Sequence, residues 1–173
     1  GLGIPAEPLF RSRDNINQLK YAAQDITDYI NNINFALHVG GVRLVNYSPQ
    51  SHLLTIYKEM NVVQLALTQT RCLYLTEEHS KRIAMRMLNN MDMYTEDTID
   101  VDIDTVVRAA NHQTLSLQFH LLPIRNERGE IENYFGLCRD MTAERATERE
   151  LQREKLKAQE VENVKNVFLR NMS

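Results

Sequence analysis

The densest set of potential metal ligands is the run Asp100-x-Asp102-x-Asp104. Oxygen-donor spacing of this kind opens a calcium loop, but such a loop needs glycine where Thr105 stands and a bidentate glutamate where Asn111 stands. Strand alternation instead puts the three carboxylates on one face, turned to solvent or to a neighbouring strand's cations. The five histidines, His38, His52, His79, His112 and His120, show neither H-E-x-x-H nor any other metal-ligand spacing. The two cysteines, Cys72 and Cys138, are far apart and form no C-x-x-C pair, which leaves no disulfide framework and no zinc ribbon. Cys72 beside Arg71 reads as a buried, inert thiol. G-x-S-x-G, the Walker phosphate loop and G-x-G-x-x-G are all missing, so these residues assemble no self-contained active site.

Composition narrows the class further. The 173 residues are 43% apolar and 25% charged, ordinary values for one globular domain with an extension. Lys and Arg number 20 against 23 Asp and Glu, a formal charge of -3, which provides no electrostatic footprint for nucleic acid or an anionic membrane. The most apolar stretch, Ile33 to Val45, is interrupted by Asn34, His38, Gly40, Gly41 and Arg43, so no segment spans a bilayer. Gly1 in place of Met, with no charged region ahead of an apolar one, reads as a piece of a longer chain without a signal peptide.

The elements follow from periodicity. Residues 1–13 hold two of the four prolines and no repeat, and read as linker. From Asp14 as N-cap, Ile16, Leu19, Ala23, Ile26, Ile30, Ile33 and Leu37 recur at alternating spacings of three and four, the seam of an amphipathic helix over 14–40 that Gly40-Gly41 ends. That seam suits either packing on its own domain or a dimer contact. Val42 to Tyr47 and His52 to Tyr57 flank Ser48-Pro49-Gln50-Ser51 as a hairpin. Glu59 to Leu67 is expected to be a short helix, and Thr76 to cap a longer one with Ile83, Met87 and Met91 as its core stripe. Three strands follow: Ile99 to Thr105; Leu115 to Leu121, with Leu115, Leu117, Phe119 and Leu121 inward; and Glu130 to Asp140 after the turn Asn126-Glu127-Arg128-Gly129. Asn111 and His112 stand at the break between the first two. The sum is an α+β domain with a five-stranded antiparallel sheet, helices on one face, and its first and last strands adjacent.

From Thr142 to Ser173 there is neither Gly nor Pro, and charges of both signs alternate, as in a solvated helix braced by pairs such as Arg145/Glu148 and Glu150/Arg153. At 1.5 Å per residue, about 32 residues reach roughly 48 Å, too far to lie on one small domain. A heptad seam runs through Thr147, Leu151, Ala158, Val161, Phe168 and Met172, weakened by Glu154 and Lys165 at interior positions.

The order of these elements resembles a PAS domain. Gly136-Leu137-Cys138-Arg139-Asp140-Met141-Thr142-Ala143-Glu144-Arg145 is similar to that family's G-x-x-x-D-I-T-E-x-K junction between last strand and signalling helix, with Met141 in place of Ile. Lys165 to Ser173, ending Phe168-Leu169-Arg170-Asn171-Met172-Ser173, resembles the lead-in to the histidine-kinase phosphoacceptor motif F-L-x-N-M-S-H-E-I-R-T-P-L. The resemblance covers about 14–173 and implies a PAS domain over 41–142. It also implies a coiled-coil connector over 143–173 that leads to a dimerisation bundle, with the phosphoacceptor histidine as the next residue.

The function so implied is a sensor or relay module of a two-component sensor histidine kinase, itself without activity. Asp140, Met141 and Thr142 would carry the signal. Ile16, Leu19, Ala23, Ile26, Ile30 and Ile33, with Leu151, Val161 and Phe168, would form the homodimer seam. Expected partners are the parent kinase core and a response regulator, with no nucleic acid and no membrane contact in this fragment. The setting is cytoplasmic, in a parent that could be an inner-membrane sensor. No cofactor is expected and the pocket's ligand is undefined: Arg71-Cys72-Leu73 departs from the flavin motif Asn-Cys-Arg, and only His79 lies near the place of a haem-binding histidine. Two alternatives stand beside this reading. One is a small α+β enzyme using Asp and His in a pocket between helices and sheet; the other is a PAS dimerisation module of a transcription regulator or chemoreceptor.

Overall fold

The structure, a computed structural model, describes residues 7–107 and 113–172; Asn111, His112 and Ser173 lie outside them. The first helix, α1, spans Glu7–Gly40 and so begins before Asp14, replacing both the expected N-cap and part of the expected linker. Pro8 is compatible with this start, because the N–H it lacks would have no partner in a first turn. The helix stops as expected, with Gly41 in the left-handed region at φ +61° and its N–H bonded to the His38 carbonyl.

Six strands, one more than expected, build a single antiparallel sheet from the described residues: β1 Val42–Ser48, β2 Leu53–Glu59, β3 Val62–Thr68, β4 Ile99–Val107, β5 Gln113–Arg125 and β6 Ile131–Asp140. Their order is β3-β2-β1-β6-β5-β4, so the first and last strands are neighbours, with Val42 paired to Arg139 and Tyr47 to Tyr134. The additional strand is β3, where a short helix was expected. Glu59 pairs with Val62 across a two-residue turn in which Asn61 takes φ +66°, a conformation that Asn tolerates and a helix would exclude. Val62-Val63 then favours extended backbone.

Helix α2 covers Gln69–Leu75 and helix α3 Lys81–Asp92, joined through a 3-10 turn at Glu78–Ser80. Thr76 does not open the long helix. It closes α2, giving its hydroxyl to the Cys72 carbonyl at 2.7 Å, and its extended backbone bridges to Thr105 of β4. Ala84, Met87, Leu88 and Met91 of α3 pack on the inner sheet face against Val45, Tyr47, Leu54, Ile56, Ile99, Ile103, Phe119, Leu121 and Tyr134. Ile83, expected in that stripe, is half exposed. The two buried tyrosine hydroxyls are satisfied, Tyr47 by Asp92 at 2.5 Å and Tyr134 by the Thr95 carbonyl at 2.6 Å. The turn Asn126 to Gly129 closes as its residues predict, Gly129 having φ +79° and Asn126 Oδ1 accepting from the amides of Arg128 and Glu130. The last helix, α4, runs Thr142–Met172 with no buried residue.

Candidate functional site

Between α2, α3 and the inner faces of β2 to β5 lies a cavity of about 250 Å³. Its walls are Leu, Ile, Met, Val, Phe and Ala side chains with Cys72, Thr76 and Thr105. Thr76 is committed to a backbone carbonyl, as is Thr105 at 3.5 Å, and among the described residues no carboxylate, imidazole or cation lines the space. Such a cavity selects an apolar occupant by shape. Burial pushes the Cys72 thiol up to about 11 and Cys138 to about 12, so both stay protonated and unreactive near neutrality. His79 is absent from the cavity walls and pairs elsewhere.

A second, polar cleft lies at the base of α4, lined by His79, Asp102, Asp104, Ser116, Arg145 and Arg149 together with Ile83 and Met141. The three residues expected to carry the signal meet here. Asp140 Oδ1 accepts from the Thr142 amide at 2.9 Å and from the Thr142 hydroxyl. The Thr142 hydroxyl accepts in turn from the Ser116 amide at 3.0 Å, and the Ser116 carbonyl accepts from the Met141 amide at 2.7 Å. The first turn of α4 is thus stitched to the backbone of β5. The Met141 carbonyl then takes the first helical bond, from the Arg145 amide at 2.8 Å. Asp140 places its carboxylate at the positive end of the helix, where it is favoured.

Sequence reasoning missed the groups beneath this turn. Ser116, buried on the outer sheet face, donates its hydroxyl to Asp104 Oδ1 at 2.7 Å. Asp104 Oδ2 lies 2.7 Å from His79 Nε2, and this pairing, with the Ser116 bond, holds the Asp104 carboxyl below its ordinary range. Arg145 bridges Asp102 at 2.7 Å and Glu148 at 3.1 Å, and these carboxylates, Glu148 foremost, push its guanidinium further up. Among the described residues, only Asp100 of the three aspartates meets a basic side chain of the neighbouring strand, His120 at 3.9 Å. The others meet a helix and a 3-10 turn that alternation cannot locate. The one available signal was the phase shared by the aspartates and Ser116.

The seam residues divide. In α1, Ile16, Leu19, Ala23 and Ile26 are exposed, whereas Ile30, Ile33 and Leu37 are half-buried, and Asn34 Oδ1 accepts from the Met60 amide in the β2–β3 turn at 2.9 Å. The last turns of α1 therefore pack on the domain and the preceding turns do not. Leu151, Val161 and Phe168 of α4 are all exposed. No helix among the described residues is long and apolar enough to cross a membrane.

No family model matches this sequence, and neither does any curated protein. Among solved structures, a sensory box histidine kinase/response regulator from Burkholderia thailandensis is similar over 72% of this chain and 96% of its own, with 17% identity and TM-score 0.53. The amino-terminal domain of a diguanylate cyclase with PAS/PAC sensor from Marinobacter aquaeolei matches over 60% and 98%, with 10% identity and TM-score 0.46. The PAS domain of the fruit-fly ELK potassium channel matches over 66% and 98%, with 15% identity and TM-score 0.41. The fold is PAS-like, an α+β domain on an antiparallel sheet.

Proposed function

We propose that this chain is the PAS sensor or relay module of a two-component sensor histidine kinase, dimeric through its helices, which passes a conformational bias along α4 to a kinase core that serves a response regulator. The observation that carries this reading is the anchoring of α4. Its first turn is fixed to β5 and β6 by Asp140, Met141, Thr142 and Ser116, and every later turn is solvent-exposed. A helix anchored at its base and exposed over the rest of its length transmits rotation or translation when it has a partner helix.

The apolar pattern supports a kinase output. Leu151, Ala158, Val161, Phe168 and Met172 follow one stripe, and Leu156, Val164 and Val167 form a second on another side. One stripe suits a two-stranded coil; two that widen toward the end suit a helix entering a four-helix bundle. The end of the chain, Phe168 to Ser173, resembles the approach to a phosphoacceptor histidine, and the solved structure with TM-score 0.53 is described as a histidine kinase/response regulator.

The test joins this chain, in heptad register, to the dimerisation bundle and ATP-binding domain of a histidine kinase. The chimaera should autophosphorylate on the bundle histidine. Inserting one, two or three residues between Thr142 and Leu151 should change the rate with a helical period, because each residue rotates α4 by about 100°. Rates indifferent to insertion length would remove α4 as the route.

A further inference from the structure

His79 stands on the 3-10 turn with its ring two-thirds exposed, and its Nε2 lies 2.7 Å from Asp104 Oδ2. The other oxygen of that carboxylate accepts the Ser116 hydroxyl, and the Ser116 backbone holds Met141 and Thr142. Hydrogen bonds therefore run without a gap from a solvent-facing imidazole to the first turn of α4. A cation of the helix faces the same carboxylate: Arg149, in the second turn, lines the cleft and bears electrostatically on Asp104. The remaining charged groups of the cleft are Asp102 and Arg145, engaged with each other, and Arg145 also acts on Asp104 from the first turn in both states of His79. Further along the same face of β4 lies the Asp100–His120 pair. Asp104 is thus bonded to His79 on the domain and lies in the field of Arg149 on the helix.

We propose that His79 and Arg149 compete for Asp104, so that the docking of the second turn of α4 on the sheet responds to proton concentration. An imidazole changes charge between pH 5 and 8, the range in which neither a carboxylate nor a guanidinium ordinarily does. With His79 protonated, the cleft holds three cations against two carboxylates; His79 binds Asp104 by charge and repels Arg149. With His79 neutral the charges balance, and Arg149 becomes the cationic partner of Asp104. The groups are partly exposed, so the bias is modest, about two- to five-fold between the two arrangements. For its consequence the inference rests on the relay reading, but the cleft is tested without any kinase.

The experiment is amide hydrogen exchange and NMR titration of the intact chain from pH 5.5 to 8. After correction for the intrinsic exchange rate, protection of Arg145 to Arg149 should rise about two- to five-fold with pH, and the Ser116 and Thr142 amide shifts should move with the midpoint of the His79 ring. His79→Gln should abolish the rise and keep the protected value throughout; Arg149→Gln should abolish it while His79 still titrates. His120→Gln should leave it intact, which separates this pair from its neighbour on β4. Flat protection in the wild type, or a rise that survives His79→Gln or Arg149→Gln, overturns the proposal. A positive result beside an insertion-insensitive chimaera would retain the proton response and remove the relay.

Discussion

Gly136 lies on β6 opposite Leu121, where an added Cβ would fall 1.8 Å from the carbonyl oxygen of His120. The obstacle is backbone in a central strand, which no rotamer relieves, so Gly136→Ala should cost about 1–3 kcal/mol, toward the upper end, measured as a lower midpoint in urea unfolding. This gives the glycine of the G-x-x-x-D motif a steric reason. The thiols invite a second measurement. With Cys72 raised to about 11, its thiolate fraction at pH 8 is on the order of one in a thousand, so alkylation of the folded chain should be slow and become fast in denaturant. Rapid native labelling would show that the cavity wall opens. Asp104 sets the sign of one acid effect. Its carboxyl is held low by His79 first and by Ser116, so it stabilises the fold above the unfolded carboxylate range and loses that contribution as pH falls through the depressed value. Asp104→Asn should therefore flatten the acid limb of a stability profile below about pH 4, and an unchanged limb would contradict the pairing.

At the scale of elements, the apolar stripe of α1 divides into a covered and an exposed part. Ile30, Ile33 and Leu37 are half-buried on the domain, whereas Ile16, Leu19 and Ile26 expose half or more of their surface. Leu19→Asp with Ile26→Asp should then shift the mass in light scattering from dimer toward monomer and leave the melting temperature of the domain nearly unchanged. Ile30→Asp should lower that temperature, because it buries a charge at the domain surface. A double variant that retains the wild-type mass would place the dimer contact elsewhere, with α4 the next segment to test. Strand β3 shows why short apolar segments mislead. Its seven residues fit either period, and the turn at Asn61, together with a free edge beside β2, decides for the strand.

In the whole molecule, α1 ends and α4 begins at the same end of two neighbouring strands, since Val42 at the start of β1 pairs with Arg139 at the end of β6. One antiparallel ladder thus joins the end of the first helix to the start of the last, and the apolar cavity lies to one side of it. An occupant of the cavity would act on that connection through β5, whose Leu115, Leu117 and Phe119 line the cavity while Ser116 holds α4 on the opposite face. A small aromatic hydrocarbon should accordingly raise the melting temperature by mass action, whereas a charged analogue of equal size should not, because no wall group among the described residues pairs with its charge. Equal stabilisation by both would mean binding outside the cavity.

What was legible in the sequence rests on local rules. The seam from Ile16 to Leu37, the Gly40-Gly41 stop, the alternation of Leu115 to Leu121 and the turn at Gly129 each follow from periodicity or from a φ that glycine alone accepts readily. The adjacency of first and last strands and the place of Asp140 to Thr142 at a strand-to-helix junction were also readable, through the motif that they resemble. Only the tertiary structure decided which partners those residues have. His79, Asp104, Ser116 and Arg149 are distributed across 71 positions, and nothing in local periodicity says that a 3-10 turn crosses the edge of β4 to meet the base of α4. Likewise, half of one continuous seam is covered and half is bare, because coverage depends on where the β2–β3 turn stands in space and not on the spacing of isoleucines.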